Sequence, residues 1–268
     1  MNNQPIGIFD SGIGGLTVAS AINKLMPNET LVYFGDTAHT PWGNQSSQAI
    51  AQYCAHITEV LVEHNCKAII IACNTASSSA VPTVESRVVG LNVPVINVID
   101  PIVQHICHNY AHKKIGIIGT KRTIKSDEYA KRIQQHNPNI QVVSKATPLL
   151  APLIEENYLN SPALEYILQD YLADPHLQDI DALVLGCTHY PLIFDKISAY
   201  FHQQARVVEV IDSASIVAHQ VKGLLASQQL TCAQQHTPIH KFLVSHDHTF
   251  FNDTAKKFFQ GAINLENY

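Results

Sequence analysis

The sequence contains little charge and no excess of the positive sign that would attract a nucleic acid. Charged residues make up 15% of the 268 residues, and the formal net charge is −5 with histidine counted as neutral. The 17 basic residues are scattered among 22 acidic ones, which leaves no electrostatic footprint for a nucleic acid. No apolar stretch is long enough to cross a bilayer, and the first residues hold no secretory pattern. We therefore expect a cytoplasmic protein without nucleic-acid or membrane partners.

Motifs for metals and cofactors are also missing. None of the six cysteines belongs to a Cys-x-x-Cys pair, which excludes a zinc ribbon and a thioredoxin motif. His105, His108 and His112 lie at helical spacing around Cys107, where a solvated helix face is the alternative to a surface metal site. No lysine lies in the motif runs described below, so nothing indicates a pyridoxal-phosphate Schiff base. We expect no metal, no cofactor and free thiols.

What the sequence does contain is an alternation of short β-branched apolar runs with longer amphipathic stretches. Hydrophobic residues make up 46% of the chain, which suffices for the core of one large domain or two ordinary ones. The alternation predicts an α/β fold with mainly parallel sheets and right-handed crossovers. Predicted strands cover residues 6–9, 31–34, 68–72, 95–99 and 115–120, and predicted helices cover residues 16–25 and 46–65. Ser46 or Ser47 is expected to cap the longer helix, and Asp100 with Pro101 to end the fourth strand.

The second half of the chain repeats features of the first. An Ile-Gly-Ile strand occurs at Gly7 and again at Gly116, and each is followed at a similar distance by a buried strand that leads to a cysteine. We interpret this as two related α/β units, although buried parallel strands also look alike by chance. Ligands sit at the carboxyl ends of strands in such sheets. Cys73 and Cys187 therefore predict one site approached from both sides.

Both cysteines precede small polar residues that open the next helix. A helix N-terminus lowers the pKa of a thiol, so we expect Cys73 and Cys187 to act as thiolate bases near neutral pH. Two bases on opposite sides suit the inversion of a carbon centre, where one removes a proton and the other returns one to the opposite face. His189 beside Cys187, and Asp10 beside Cys73, are expected to hold or move protons. Small core residues are the structural alternative for both cysteines.

A glycine-rich turn, Asp10-Ser11-Gly12-Ile13-Gly14-Gly15, follows the first strand. It lets the backbone approach a ligand closely and offers free N–H groups to an anion. Dinucleotide binding is the alternative, but the spacing differs from Gly-x-Gly-x-x-Gly and Asp10 would repel a pyrophosphate. Since the motif runs contain no arginine, backbone N–H groups and the side chains of Asn74, Thr75 and Thr188 are expected to hold any amino-acid carboxylate.

Taken in order, these motifs resemble those of the glutamate racemases, the cofactor-independent enzymes of the aspartate/glutamate racemase superfamily. The resemblance spans most of the chain and rests on runs at 7–15, 35–38, 41–43, 73–76, 118–120, 152–155, 186–192 and 211–213. It implies two pseudo-symmetric α/β domains with mainly parallel sheets and the active site in the cleft between them. The implied boundaries are 1–97 with 207–268 for the first domain, and 98–206 for the second.

The resemblance also implies a role for each site residue. Cys73 and Cys187 resemble the two catalytic thiols, Asp10 and His189 their assisting groups, and Glu155 the carboxylate that orients the site. The positions that match substrate-binding residues are Asp10, Ser11, Pro41, Trp42, Gly43, Asn74, Thr75, Thr188 and His189. The implied activity is interconversion of L- and D-glutamate without metal or pyridoxal phosphate, by a homodimer or a monomer, with D-glutamate serving peptidoglycan synthesis.

The chain departs from the family pattern beside the predicted site. The family usually reads Ala-Arg-x-Pro-Tyr-Gly at 38–43, where this chain has His39 and Trp42, and Gln45 and Thr147 replace a basic residue and a cysteine. We expect Trp42 to contribute shape and backbone contact rather than a hydrogen-bond donor.

These departures put the choice of substrate in question, so an aspartate or other amino-acid racemase is an alternative. A thiol hydrolase built on Cys187 and His189 is another, which would leave Cys73 without a role. An amino-acid-binding protein and an inhibitory partner protein are the non-enzyme alternatives.

Overall fold

The structure is a computed structural model that describes residues 2–246, 249 and 251–268. The strands are β1 Ile6–Asp10, β2 Leu31–Gly35, β3 Ala68–Ile71, β4 Val95–Asn97, β5 Lys114–Gly119, β6 Gln141–Ala146, β7 Ala182–Gly186, β8 Glu209–Ile211, β9 Lys241–Val244 and β10 Leu265–Asn267. The helices are α1 Leu16–Leu25, α2 Ser47–Glu63, α3 Asn74–Ser77, α4 Val81–Arg87, α5 Ile99–Asn109, α6 Lys121–Ser126, α7 Glu128–His136, α8 Leu150–Glu155, α9 Pro162–Leu172, α10 Phe194–Gln203, α11 Ser213–Ser227 and α12 Asn252–Phe258. Short 3-10 helices cover Trp42–Asn44, Pro175–Leu177 and Tyr190–Ile193.

Within the described ranges the strands form two sheets, and every strand pairing in them is parallel. The first sheet has the order β10-β9-β2-β1-β3-β4, and the second has the order β6-β5-β7-β8. The order β2-β1-β3-β4 of the first sheet is repeated by β6-β5-β7-β8 in the second. The predicted α/β fold with two related, mainly parallel units is confirmed.

The strand order decides where a ligand can bind. In each sheet the chain runs from the first strand to one side and then crosses to the other, so the order reverses between β1 and β3, and between β5 and β7. Such a switch point opens a crevice at the carboxyl ends of the strands. The central strands β1, β3 and β7 are buried along their whole length, which is typical of parallel sheets that helices cover on both faces.

The long helix predicted for residues 46–65 is α2, and Ser46 caps it by accepting a hydrogen bond from the Ala49 N–H at 3.1 Å. The fourth strand, however, was predicted two residues too long. β4 ends at Asn97, whose Oδ1 accepts the N–H groups of Ile99 at 2.9 Å and Asp100 at 3.0 Å. Pro101 lies in the first turn of α5, where a backbone N–H has no partner within the helix. Its lack of an N–H therefore costs no helical hydrogen bond. Asp100 and Pro101 therefore begin a helix and do not end a strand.

The second sheet also reaches further along the chain than the predicted boundary at residue 206. β8 pairs with β7, so the second unit includes the chain at least to Ile211. After it, α11 packs against α1 of the first unit, and β9 pairs with β2. The division of the chain into domains stays a prediction, with that boundary moved. Among the described residues no helix is both long and apolar enough to span a bilayer.

Candidate active site

The carboxyl ends of β1 and β3 bring Asp10, Ser11 and Cys73 together. The two strands are neighbours, and the Ala72 N–H continues their pairing by donating to the Phe9 carbonyl at 2.9 Å. The Cys73 Sγ lies 3.6 Å from the Ser11 Oγ, to which the thiol donates. Asp10 is completely buried, and its Oδ2 accepts the Gly15 N–H at 2.9 Å. Its Oδ1 has no hydrogen-bond partner among the described residues.

The second unit places a different set of groups at the end of β7. The Cys187 Sγ lies 3.5 Å from Nδ1 of His189, and Nε2 of the same ring lies 2.7 Å from Oε1 of Glu155. Glu155 is the last residue of α8. Its carboxylate contacts the imidazole of His189, which in turn contacts the thiol of Cys187. The edge of the Phe258 ring meets the imidazole with 5.5 Å between ring centroids. Each nitrogen of His189 therefore has one defined partner.

The glycine turn of the first unit touches these groups directly. A Cβ at Gly14 would lie 2.4 Å from Cε1 of His189 and 2.6 Å from Oγ1 of Thr188, so only glycine fits there. The Thr17 hydroxyl donates to the Thr188 carbonyl at 2.9 Å. These contacts hold the glycine-rich turn of the first unit against the turn that carries Cys187 in the second.

The surroundings of the two thiols shift proton affinities in ways that differ from the sequence prediction. Burial, with a smaller contribution from Asp10, raises the pKa of the Cys73 thiol above its usual range. The prediction that a helix N-terminus would lower it is wrong for Cys73, because α3 spans four residues and the favourable Ala76 N–H does not offset burial. The helix that follows Cys187 is the 3-10 helix Tyr190–Ile193, which leads into α10. Cys73 carries its proton in this arrangement.

The assisting groups are shifted as well. Burial raises the pKa of Asp10 above its usual range, although the nearby His189 and the Gly15 N–H oppose the shift. Burial alone would lower the pKa of His189, but Glu155 and Cys187 together outweigh it, and the pKa lies well above its usual value. An imidazolium therefore stands beside the Cys187 sulfur.

Both thiols line one cavity between the units. The residues around it are Ser11, Thr40, Pro41, Trp42, Gly43, Cys73, Asn74, Thr75, Thr120, Ala151, Pro152, Glu155, Cys187, Thr188 and His189. The structure thus brings together all the predicted site residues, with Asp10 buried beneath the cavity. The sequence reasoning missed Thr40, Thr120, Ala151 and Pro152. Thr120 carried a signal, since it follows β5 where Ser11 follows β1.

Neutral polar groups supply the hydrogen-bonding capacity of the cavity. The Thr75 Oγ1 lies 2.9 Å from the Thr120 Oγ1 and 3.3 Å from the Thr123 Oγ1, which joins the two units. The Asn74 Oδ1 accepts the Tyr129 hydroxyl at 2.6 Å, whereas its Nδ2 is buried and has no partner in the part of the chain that the structure describes. The cavity lining contains no lysine and no arginine.

Two of the departures from the family pattern meet at one carboxylate. The buried indole of Trp42 donates its N–H to Oδ2 of Asp36 at 3.1 Å, and Nδ1 of His39 lies 2.8 Å from Oδ1 of the same residue. The Ser245 hydroxyl donates to that Oδ1 at 2.7 Å. Because the indole N–H is committed to Asp36, Trp42 has no donor left for a ligand.

A third departure lies next to an arginine that the motif runs did not include. Arg122 of α6 donates to the Gln45 carbonyl, and it donates to the Ser47 hydroxyl at 3.1 Å. The second unit therefore supplies a cation next to position 45. Within the described ranges no group of three or more His, Cys, Asp or Glu side chains is placed to hold a metal ion. The absence of metal and cofactor from the reaction stays a prediction.

Comparisons with known proteins agree with this geometry. The model of the family described as Asp/Glu/Hydantoin racemase matches residues 15–221. The chain is 44% identical over 242 residues to a glutamate racemase from Chlorobium phaeobacteroides, which covers 90% of this chain and 87% of that protein. It is similar to the crystal structure of glutamate racemase from Francisella tularensis in complex with D-glutamate, with a TM-score of 0.91, 35% identity, and coverage of 100% and 98% of the two chains. The Thermus thermophilus glutamate racemase in complex with beta-chloro-D-alanine gives a TM-score of 0.86 and 33% identity, with the same coverage.

Proposed function

Because the chain belongs to the Asp/Glu/hydantoin racemase family, we propose that it interconverts L- and D-glutamate by two-thiol proton transfer at Cα. The observation that carries the proposal is the placement of Cys73 and Cys187 at equivalent strand ends on one cavity. Deprotonation on one face and reprotonation on the other inverts the carbon, and each thiol has a polar partner that assists it.

The proton arrangement of the site sets the direction in which a turnover starts. Cys73 holds its proton because burial raises its pKa, whereas the Cys187 sulfur lies 3.5 Å from the imidazolium of His189. With L-glutamate, Cys187 removes the Cα proton and Cys73 donates its own to the opposite face. The enzyme then holds a thiol at Cys187 and a thiolate at Cys73, which is the arrangement that accepts D-glutamate. In that direction Cys73 removes the proton and Cys187 returns one.

The assisting residues keep these proton states available. Glu155 fixes one nitrogen of His189, so the other points at Cys187. Asp10 is a carboxyl of raised pKa beside Cys73, which suits it to take up and release the proton of that thiol.

The Cα proton of an amino acid is very weakly acidic, so the transition state needs stabilisation. Preorganised donors and exclusion of water supply it here, since Asn74, Thr75 and Ser11 present neutral hydrogen-bonding groups to a substrate enclosed between the units.

The same lining supports an acidic substrate without arginine or lysine. The unpartnered Nδ2 of Asn74 is a buried donor for a carboxylate, and the hydroxyls of Thr75 and Ser11 offer others. The Francisella tularensis relative is described in complex with D-glutamate. A thiol hydrolase based on Cys187 and His189 would leave Cys73 unused in the same cavity. As the family resemblance implies, the D-glutamate that forms serves peptidoglycan synthesis. We expect the protein to act in the cytoplasm as a homodimer or a monomer.

Exchange of solvent deuterium tests the proposal. Incubation of the protein with L- or D-glutamate in D₂O, without added metal or cofactor, should place deuterium at Cα of the opposite enantiomer as it forms. L-Aspartate is run alongside as the competing substrate. Deuterium exchange into aspartate but not into glutamate would show that the substrate is aspartate, and the two-thiol mechanism would still hold. Inversion without deuterium incorporation would rule out the two-thiol mechanism.

A further inference from the structure

The side-chain amide of Asn74 is held at one end only. Asn74 is 3% exposed, follows Cys73 directly and lines the cavity. Its Oδ1 accepts a hydrogen bond at 2.6 Å, whereas Nδ2 has no partner among the described residues. A buried N–H donor without a partner is unfavourable, and a substrate oxygen that accepts from it would remove that cost. Asn74 lines the same cavity as the two thiols, Cys73 and Cys187.

The group that holds the other end comes from the second unit. Tyr129 lies in the first turn of α7, is 3% exposed and does not line the cavity. Its hydroxyl donates to the Asn74 Oδ1 across the boundary between the two sheets. Burial raises the pKa of Tyr129 above its usual range, so the phenol keeps the proton it donates. Within the described residues, Asn74 Oδ1 is the acceptor recorded for this hydroxyl.

The direction of this hydrogen bond decides which end of the amide faces the substrate. An Asn side chain has two orientations of similar shape that exchange a donor for an acceptor. With Tyr129 donating, the acceptor end is occupied and Nδ2 is presented as a donor. In the reverse orientation Oδ1 would face the carboxylates of an acidic substrate, and the Tyr129 proton would lose its buried acceptor. Both consequences are unfavourable.

We infer that Tyr129 is a positioning residue that fixes the Asn74 amide with Nδ2 toward a carboxylate of the substrate. The inference rests on the proposed function for the identity of that substrate. Because the hydrogen bond crosses from one unit to the other, it also links carboxylate recognition to the arrangement of the two units seen here. Tyr129 touches no reacting atom, so its effect falls on binding before chemistry.

The test is the variant Tyr129→Phe, which removes the hydroxyl and keeps the ring. For glutamate in both directions we expect KM to rise about fivefold to tenfold, the size of one lost hydrogen bond, with kcat within about twofold. Tyr110→Phe is the matched control, since Tyr110 is also a buried tyrosine and does not line the cavity. Its kinetics should equal those of the wild type. An unchanged KM in Tyr129→Phe, or an equal rise in Tyr110→Phe, overturns the inference.

A double-mutant cycle separates positioning from general support of the fold. If Tyr129 acts through the Asn74 amide, Tyr129→Phe should add nothing to KM once Asn74→Ala has removed that amide. Equal costs in both backgrounds would show that Tyr129 acts through something else and would overturn the inference. If the wild-type protein neither racemises glutamate nor binds it in titration calorimetry, the proposed function itself is overturned. If the wild type is active on glutamate and the costs of the two substitutions are additive, only the inference about Tyr129 is overturned.

Discussion

Cys73 and Cys187 follow corresponding strands of two sheets with the same strand order, yet their polar partners differ. The first unit gives Cys73 a buried carboxyl, Asp10, and a hydroxyl, Ser11. The second gives Cys187 an imidazole that is itself held by Glu155. The fold repeats the positions of the thiols but not the charge around them.

This difference has a chemical consequence. Two identical environments would favour the same protonation state for both thiols, and a two-base reaction needs one to hold a proton while the other accepts one. Burial and, to a smaller extent, the carboxyl of Asp10 raise the pKa of Cys73, whereas the sulfur of Cys187 faces the imidazolium of His189. The partners of the two thiols thus differ at corresponding positions of the two sheets, as the proposed two-thiol reaction requires.

Removal of either thiol should have the largest effect. Cys73→Ser and Cys187→Ser should each lower the rate of racemisation by about 10²- to 10⁴-fold, because a hydroxyl is a far weaker base than a thiolate at neutral pH. Circular dichroism of the glutamate solution measures the rate. Cys107→Ser, which changes a free cysteine outside the cavity, is the control and should stay near the wild-type rate. One thiol variant with near-normal activity would contradict the comparison.

Replacement of an assisting group should lower activity less than replacement of a thiol. His189 should assist proton removal from L-glutamate, and Asp10 proton removal from D-glutamate. His189→Asn and Asp10→Asn should each lower kcat/KM by about 10- to 100-fold, equally for both enantiomers because the equilibrium constant of a racemisation is one. Kinetic isotope effects show which enantiomer's proton removal each residue assists. His189→Asn should enlarge the effect of deuterium at Cα of L-glutamate, since proton removal by Cys187 becomes slower, and Asp10→Asn that of D-glutamate. The same isotope pattern in both variants would remove the proposed division of roles.

The pH profile tests the charge on the Cys187 side. The pKa of His189 is raised, so its imidazolium and the stability that it contributes are fully present below the usual pKa of histidine. Both are lost as pH rises through the raised value. Activity should therefore fall on an alkaline limb and not between pH 6 and 7. Glu155→Gln removes the carboxylate that raises this pKa, so the limb of log kcat/KM should move to lower pH; an unmoved limb would mean that His189 does not titrate there.

Exchange of the indole should have the smallest effect. Trp42→Tyr should change kcat/KM for glutamate less than tenfold, under about 1.4 kcal/mol, because the indole N–H is donated to Asp36 and not to the cavity. A tyrosine hydroxyl at this position can bond the same carboxylate. Initial rates with glutamate and with aspartate measure both activity and preference. A switch toward aspartate would show that the indole shapes the specificity of the first unit.

Much of the architecture was predictable because its causes are local. The strands β1, β2, β3 and β5 follow from continuous buried apolar runs, and α1 was predicted at its observed bounds, Leu16–Leu25. The start of α5 was not predicted, because the side chain of Asn97 captures two N–H groups that an apolar pattern does not reveal. β8 is short and partly exposed, so its pairing with β7 depends on its neighbour and not on its own sequence.

The site divides in the same way. The positions of Cys73, Cys187 and His189 follow from motifs at strand ends, where a parallel sheet of this order must open a crevice. Tyr129 and Arg122 left no motif of their own, because their partners Asn74 and Gln45 lie in the other unit. The sign of the pKa shift at Cys73 was predicted wrongly, since burial is a property of the packed protein and not of the residues next along the chain.

The sequence by itself determined the two α/β units and the placement of one thiol at a strand end in each, because hydrophobic pattern and strand-end polarity act over short stretches of chain. Tertiary structure alone decided that burial raises the pKa of Cys73, that Glu155 holds His189 beside Cys187, and that Tyr129 donates to the amide of Asn74. Proton affinity and amide orientation depend on burial and on partners distant in sequence, and those exist only after the units have packed together.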